Sequence, residues 1–543
     1  MRSHLPLLAL FALSIPAHAE APAEKPNVLL LTIDCLRPDH MSLYGHIRST
    51  TPQLEAFARE AWVFENAFAT SAWTSPGIVS MLTGYYPPVH GQNGRHSVYD
   101  DELASPLRVL AEQGYEVFGR SGRGPTYGGL GAEEVGNLDF ETFVRERAEL
   151  EEGKPFFAWL HSKEPHLPYR PSARNAGRFL KAPPSTPGFD AVREHHLVLR
   201  PPIPKLRFTH PGEIEFVPGD AEAIRALYDE TVRDADDHLG RAFNALRETG
   251  LLEQTVVIVS ADHGEELLEH GWVGHASTGY DGKLTEELVR IPLVIRVPAM
   301  LRGDSPGAGR STALVQGVDL MPTLFEWLRI PQGAMLPPMQ GKSLAPLIDG
   351  RAKQVREHVF LQTTRKGWTT PRGEMQTRIV AVRSADRKLV WWPEEVDRPA
   401  RREGFDLVAD PEELEDLYAE QPEKFRALER ARDAWDAENR RHAAALVLPG
   451  AGNHEEAQWE ALAKGDLLGA LQHWRRIALL DRTWGYAQAP FFEEGPAKEP
   501  WASLRHRAGT ALAAAIDCDA EGRGFEVQGA ASDRRVHCTS EPR

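Results

Sequence analysis

Several stretches of the chain are apolar without interruption and stop abruptly at an ionisable residue. Pro26 to Ile33 (PNVLLLTI) ends at Asp34, and Pro155 to Leu160 (PFFAWL) ends at His161. Thr255 to Ser260 (TVVIVS) runs into Ala261-Asp262-His263. Such runs predict strands buried on both faces, as in a parallel sheet. Tyr115 to Gly119 and Arg290 to Ile295 predict further strands. Between them the spacing changes to that of helices at Thr51 to Trp62, Pro106 to Gln113 and the long segment Ala221 to Glu248, which carries Asp234, Asp236 and Asp237. Another helix opens at Val318 to Thr323. Ligands of open α/β sheets bind at the carboxyl ends of the strands. Asp34, Asp262 and His263 stand at such ends, as hard oxygens and an imidazole that suit a metal ion. Taken alone, Asp34 also reads as a cap on the turn that follows it.

The stretch Ala72 to Gly84 (AWTSPGIVSMLTG) combines small hydroxyl residues, a Pro-Gly pair and an apolar run. Thr74 and Ser75 can cap a helix, and Pro76 suits its first turn. A helix start carries free N–H groups and partial positive charge, so it favours an anion. A hydroxyl there can attack a sulfate or phosphate ester when a metal or base lowers its pKa. By itself this window reads as a capped surface helix.

The connecting segments are polar. Tyr85 to Gly91 predicts a turn. Arg120-Ser121-Gly122-Arg123-Gly124 follows a strand as a Gly-rich loop whose arginines suit an anion or simply solvent. His161 to Tyr169 (HSKEPHLPY) reads as a rigid polar loop at the same rim. Residues 170–215 lack periodicity and read as a surface excursion. Trp272-Val273-Gly274-His275 and Gly282-Lys283 add a histidine and a lysine before the strand at Arg290.

At 543 residues the chain exceeds one ordinary core. We expect a main α/β domain over 20–345, a smaller unit with a small antiparallel sheet over 346–445, and a helical tail over 446–543. The smaller unit shows strand-like pieces at Val359-Phe360-Leu361, Arg378 to Val382, Lys388 to Trp392 and Phe405-Asp406-Leu407, closed by a helix near 421–445. In the tail, Glu455 to Leu480 reads as two helices. The net charge of −16 argues against nucleic acid and anionic membrane as partners. Residues 1–19 read as a secretory signal: Arg2, an apolar core from Leu5 to Ile15, then Ala17-His18-Ala19. No Cys follows that cleavage site, and no later apolar run is long enough for a transmembrane segment. A periplasmic or secreted protein is expected. Of three cysteines, Cys518 and Cys538 suit a local disulfide, and Cys35 a buried free thiol.

In their order along residues 26–440, these blocks resemble the sulfatase family of the alkaline phosphatase superfamily. PNVLLLTIDCLRPDH is similar to the family's first strand, WTSPGIVSMLTGYYPPVHG to its nucleophile block, and FFAWLHSKEPHLPY to its substrate-histidine block. VVIVSADHGEELLEHG resembles its second metal block, LVRIPLVIRVP the next strand, and GFDLVADPEELEDL the start of the closing helix. The resemblance implies an alkaline-phosphatase-like doubly wound sandwich with a smaller C-terminal α+β subdomain. It also implies one divalent cation, Ca, Mg, Mn or Zn, held by Asp34, Asp262, His263 and the Thr74 oxygen. His166 would contact the ester. Lys283, or His275 in the same segment, would contact substrate, as would Arg123 or Arg120.

The same resemblance places Thr74 where sulfatases carry the Cys or Ser that becomes formylglycine, Ile78 where they carry an Arg, and Cys35 where they carry a second metal-binding Asp. Threonine is not oxidised to formylglycine, so none is expected. Superfamily relatives use an unmodified Thr on phosphate and phosphonate esters or for phosphoryl transfer. The expectation is an exported, metal-dependent hydrolase of sulfate or phosphate/phosphonate esters with Thr74 as nucleophile. A phosphoryl-group transferase of the cell envelope and a non-catalytic binding protein on the same scaffold are the alternatives.

Overall fold

The computed structural model describes residues 25–445 except 94–98, 100–102, 121–126, 128, 137–138, 151–153, 196–211, 332–335, 366–377 and 395–398, together with 525–528 and 533–536. The main-sheet strands are β1 (Asn27–Ile33), β2 (Trp62–Phe68), β3 (Glu116–Arg120), β4 (Glu133–Glu134), β5 (Phe156–Ser162) and β6 (Thr255–Ala261). After a short ribbon of β7 (Glu266–Leu267) and β8 (Val273–Gly274) come β9 (Arg290–Arg296) and β10 (Gly309–Gln316). The eight strands lie in the order β10-β2-β9-β6-β1-β5-β3-β4. All pairs are parallel except those of β9, which runs against both β2 and β6.

Every residue of β1 and of β6 is buried, as the unbroken aliphatic runs require. Helices cover them in two groups. The 29-residue helix Asp220–Glu248 packs with Pro52–Ala58 and Phe140–Ala148, and Phe57 stacks on Phe243 at 3.9 Å. The helix Thr74–Thr83 packs with Pro106–Glu112 and Leu320–Trp327.

Two expectations need correction. The helix expected over 51–62 stops at Ala58, and Trp62 opens β2. Here the aromatic and β-branched residues pair between β9 and β10, so sheet pairing overrides the helical spacing. The helix at 74–83 is not a capped surface helix. All ten of its residues are buried, its cap residue is Trp73, and no side chain caps it. Within the excursion at 170–215 the structure places the helix Pro187–Glu194, which Thr186 caps by accepting from the Phe189 amide.

The second sheet is antiparallel, in the order β11 (Val359–Thr364), β12 (Arg378–Arg383), β13 (Arg387–Trp392), β14 (Arg401–Asp406). Helix Arg426–Ala445 closes it, with Trp435 stacked on Phe360 and edge-on to Tyr86, just past the Thr74–Thr83 helix. Between the sheets, the Gln316 amide donates to the Phe360 carbonyl and the Gln362 amide to the Thr70 carbonyl. Of the tail, the described residues form the hairpin Phe525–Gln528 and Asp533–Val536. The expected signal at 1–19, the helices at 455–480, Cys518 and Cys538 lie outside the described residues. Among the described residues no helix is long and apolar enough to cross a membrane.

Candidate active site

Sheet register brings the two acids together. Ile33 of β1 pairs with Ala261 of β6, so the next residues, Asp34 and Asp262, leave neighbouring strands side by side. Both are buried. Asp262 Oδ1 accepts the His263 and Cys35 amides, and Asp262 Oδ2 is buried with no hydrogen-bond partner.

The helix Thr74–Thr83 points its first residue at these acids. It comes this close because Gly77 has no side chain: a Cβ there would lie 2.5 Å from the Asp262 carbonyl oxygen. Gly264 plays the same part on the other side, where a Cβ would meet the Glu287 carbonyl oxygen. His263 Nδ1 lies 2.7 Å from the Gly264 carbonyl oxygen. That contact assigns the proton to Nδ1 and leaves the Nε2 lone pair facing the acids. Nε2 lies 3.3 Å from Thr74 Oγ1, 3.4 Å from Asp262 Oδ2 and 3.5 Å from Asp34 Oδ1.

These residues fit the cation that the chemistry implies. Four donors around a tetrahedral ion, with bonds of about 2.1 Å, stand about 3.4 Å apart. The three separations from Nε2 match that spacing, and the orphaned Asp262 Oδ2 is one of the donors. The electrostatics agree. Burial and the Asp34 charge raise Asp262 above the usual carboxylate range, against the pull of His263 and His161. Burial also pushes Asp34 upward, but His166, His161 and His263 outweigh it and hold it well below that range.

Further histidines surround Asp34. Thr32 Oγ1 accepts from Trp159 Nε1 and sits 2.9 Å from His161 Nδ1, so His161 Nε2 faces Asp34 Oδ2 at 3.5 Å. The sequence shows His161 only as one polar residue of a loop. The β1–β5 register, which pairs Thr32 with His161, gives it this place. His166 sits in the loop after β5, half-buried, its Nδ1 2.6 Å from the Leu167 carbonyl oxygen. His275 is buried, and its ring lies 4.8 Å from that of His263 and 4.9 Å from that of His166. Burial pushes His275 down to about 4, although Glu265 opposes the shift. It is therefore neutral at ordinary pH.

Thus Asp34, Thr74, His166, Asp262, His263 and His275 gather at one place. The Lys283 ammonium sits 5.7 Å from the Trp392 ring centroid on the second sheet. Arg123 lies outside the described residues, and Arg120 ends β3. Ile78 is fully buried in the main core. His40, His46 and Arg48 all engage Asp229, a satisfied network on the helix Asp220–Glu248. A cavity of about 690 Å³ opens beside Tyr169, with Arg170, Lys181 and Arg193 in its wall.

The large mixed sheet with a small antiparallel sheet against it defines an alkaline-phosphatase-like α/β fold. A phosphonate monoester hydrolase of Agrobacterium radiobacter superposes with a TM-score of 0.59 at 21% identity, over 77% of this chain and 96% of that one. A solved protein in complex with its substrate D-glucosamine-2-N,6-O-disulfate gives 0.58 at 20% identity, over 77% and 98%.

Within that class the chain belongs to the sulfatase family, whose model it matches over residues 26–146 and 136–330. Residues 269–431 also match the N-sulphoglucosamine sulphohydrolase C-terminal model. An N-acetylglucosamine-6-O-sulfatase of Bacteroides thetaiotaomicron is 24% identical over 503 residues, 76% of this chain and 86% of that protein. The multifunctional alkaline phosphatase superfamily protein PehA of Trinickia caryophylli is 33% identical over 238 residues, 41% of this chain and 44% of that one. The chain is accordingly a sulfuric or phosphoric ester hydrolase of the sulfatase type. Sulfatase family members use a metal ion, and this chain has groups able to hold one.

Proposed function

We propose that this protein is a metal-dependent hydrolase of anionic esters with the unmodified Thr74 hydroxyl as nucleophile, acting on phosphate or phosphonate esters in preference to sulfates. The observation that carries the reading is the position of Thr74 Oγ1, 3.3 Å from His263 Nε2 at a buried helix start. Asp34, Asp262, His263 and Thr74 would hold one divalent cation. That cation, when bound, lowers the pKa of the Thr74 hydroxyl and offsets charge on an ester oxygen.

The residues supply the remaining steps. Thr74 Oγ1 loses its proton and bonds to phosphorus or sulfur, while the bond to the leaving alcohol breaks and that alcohol takes up a proton. Water then cleaves the Thr74 ester, restores the Thr74 hydroxyl and releases the phosphate, phosphonate or sulfate. The helix start directs its free amides at the anion. His166 and His275 meet the charge on the outer oxygens. Ile78 offers no charge to the nucleophile, unlike an Arg at that position. The preference for phosphorus rests on the hydroxyl itself, since formylglycine chemistry is closed to threonine. Kinship with the PehA protein and the phosphonate monoester hydrolase fold is compatible with it.

The N-terminal pattern of Arg2, Leu5 to Ile15 and Ala17-His18-Ala19 supports export to the periplasm or beyond. The division into 20–345, 346–445 and 446–543 completes the proposal. The test is turnover of matched aryl sulfate, aryl phosphate monoester, aryl phosphodiester and aryl phosphonate, with and without added divalent metals, for the wild type and Thr74→Ala. Thr74-dependent, metal-dependent cleavage of phosphorus esters is expected. Full activity in Thr74→Ala overturns the nucleophile, and faster sulfate cleavage overturns the substrate preference.

A further inference from the structure

Cys35 is left over from the four-donor set, yet it sits among metal-binding side chains. It is fully buried and holds a left-handed backbone, with φ of 62°. The Tyr228 hydroxyl pins this turn by donating to the Cys35 carbonyl at 2.7 Å. Cys35 Sγ lies 3.8 Å from His275 Nδ1 and 3.2 Å from Asp34 Oδ1. A His166 nitrogen joins the Cys35 sulfur and an Asp34 oxygen in a group whose atoms all lie within 4.8 Å of one another.

A fourth donor stands behind them. Glu265 is wholly buried, and its Oε1 accepts from the Tyr169 hydroxyl at 3.0 Å. Its Oε2 has no hydrogen-bond partner and faces His275 Nδ1 at 3.6 Å. His275 Nδ1 therefore looks at a sulfur and an orphaned carboxylate oxygen together. Around a tetrahedral ion with metal–sulfur bonds of about 2.3 Å and metal–nitrogen bonds of about 2.0 Å, sulfur and nitrogen stand about 3.5 Å apart, and nitrogen and oxygen slightly less. The two separations from His275 Nδ1, 3.8 Å to Cys35 Sγ and 3.6 Å to Glu265 Oε2, exceed these by a few tenths of an ångström.

We propose that Cys35, His166 and His275, with Glu265, form a second cation site beside the first, suited to a borderline-soft divalent ion such as zinc. A thiolate with two imidazoles selects that class over calcium or magnesium, whereas Asp34 and Asp262 offer the hard oxygens of the neighbouring site. Formal charge supports two ions. Asp34, Asp262 and Glu265 place three carboxylates in one buried volume, one more than a single dication offsets. The ion-pair partners of the three carboxylates among the described residues are histidines. The site also gives His166 and His275 a definite way to meet charge on the ester's outer oxygens. In this respect the inference rests on the proposed function.

The experiment strips the full-length protein with a chelator and titrates it with cobalt(II), reading bound metal by mass spectrometry and the thiolate-to-cobalt charge-transfer band by absorption. The wild type is expected to bind two equivalents and to show the band. Cys35→Ser is expected to bind one equivalent and to lose the band. His275→Ala, a second variant in case Cys35→Ser fails to fold, should also bind one equivalent. Asp262→Asn should lose the other equivalent and keep the band, so failure of the first site is distinguishable from failure of the second. A single equivalent in the wild type overturns the proposal, with or without the band. So does a band that survives in folded Cys35→Ser.

Discussion

Thr74 Oγ1 and His263 Nε2 stand 3.3 Å apart although 189 positions separate them in the chain. Neither residue reaches the other through its own element. The contact exists because β1 and β6 end level with one another and the helix Thr74–Thr83 starts directly above those ends. Both residues thereby address the space in front of Asp34 and Asp262, and the consequences are measurable.

Two buried acids share that space, so stability should depend on cation and charge together. A cation at about one hundred times its Kd adds roughly 2.7 kcal/mol to the folded state. Asp262→Asn should lose most of this increment, because it removes one ligand charge. In chelator the order should reverse, with Asp262→Asn melting at or above the wild type, since burial and the Asp34 charge no longer act on an ionisable group there. Thermal unfolding with metal and with chelator checks both signs. A variant that melts below the wild type under both conditions would contradict the account.

Gly77 sets helix propensity against packing. Alanine inside a helix is favoured over glycine by about 1 kcal/mol. At Gly77, however, the added Cβ would lie 2.5 Å from the Asp262 carbonyl, a backbone atom with no freedom to move aside. Gly77→Ala should therefore destabilise the protein by about 1–3 kcal/mol. It should also reduce turnover by displacing Thr74. Denaturant unfolding and kcat on the same preparation test this; a stabilised variant would show that the helix start is not held against β6.

His161 acts through Asp34. Its Nε2 faces Asp34 Oδ2 at 3.5 Å, and Thr32 and Trp159 fix the ring from behind. Replacing such a supporting residue costs about 10–100-fold in metal affinity. His161→Gln should weaken metal binding within that range, and excess metal should restore kcat. Metal titration followed by calorimetry reads the affinity directly. Unchanged affinity would remove His161 from the site.

Glu266 makes stability depend on pH. It is buried with neither carboxylate oxygen in hydrogen-bonding geometry, and burial pushes it up to about 8, which the neighbouring Glu287 and Glu269 reinforce. Its folded pKa is raised above the unfolded value, so the folded state holds the proton more tightly. Stability is full below about 4.5 and falls as pH rises through about 8. Glu266→Gln should flatten that decline and be the more stable protein at pH above 8. Denaturant midpoints on both sides of that pH, with metal saturating, decide it.

Much of this architecture was legible in the chain. Unbroken aliphatic runs such as PNVLLLTI and TVVIVS can satisfy their apolar surface only inside a sheet covered on both faces, so β1 and β6 lie where the pattern puts them. The residues just past them, Asp34, Asp262 and His263, follow at the carboxyl rim. The order of the blocks, from the first strand through WTSPGIVSMLTG to ADHGEE, is a property of sequence alone and carries the family.

Other features depended on packing across the chain. The spacing in TPQLEAFAREAW suits a helix to Trp62, but pairing with β9 and β10 claims Trp62 for a strand. The hydroxyls of AWTSPG suggest a capped surface helix, but the tertiary structure buries all ten residues and leaves Thr74 aimed at the acids. His161, Glu265 and the Cys35 thiol gain their roles only from register, a left-handed turn and an orphaned oxygen. That Lys283 stands 5.7 Å from the Trp392 ring centroid of the second sheet is likewise a matter of tertiary packing. Local pattern determines which elements form and what chemistry stands at their ends, because hydrophobic period and residue type are carried along the chain. Which ends meet is decided by strand register and by glycine clearances between segments hundreds of residues apart.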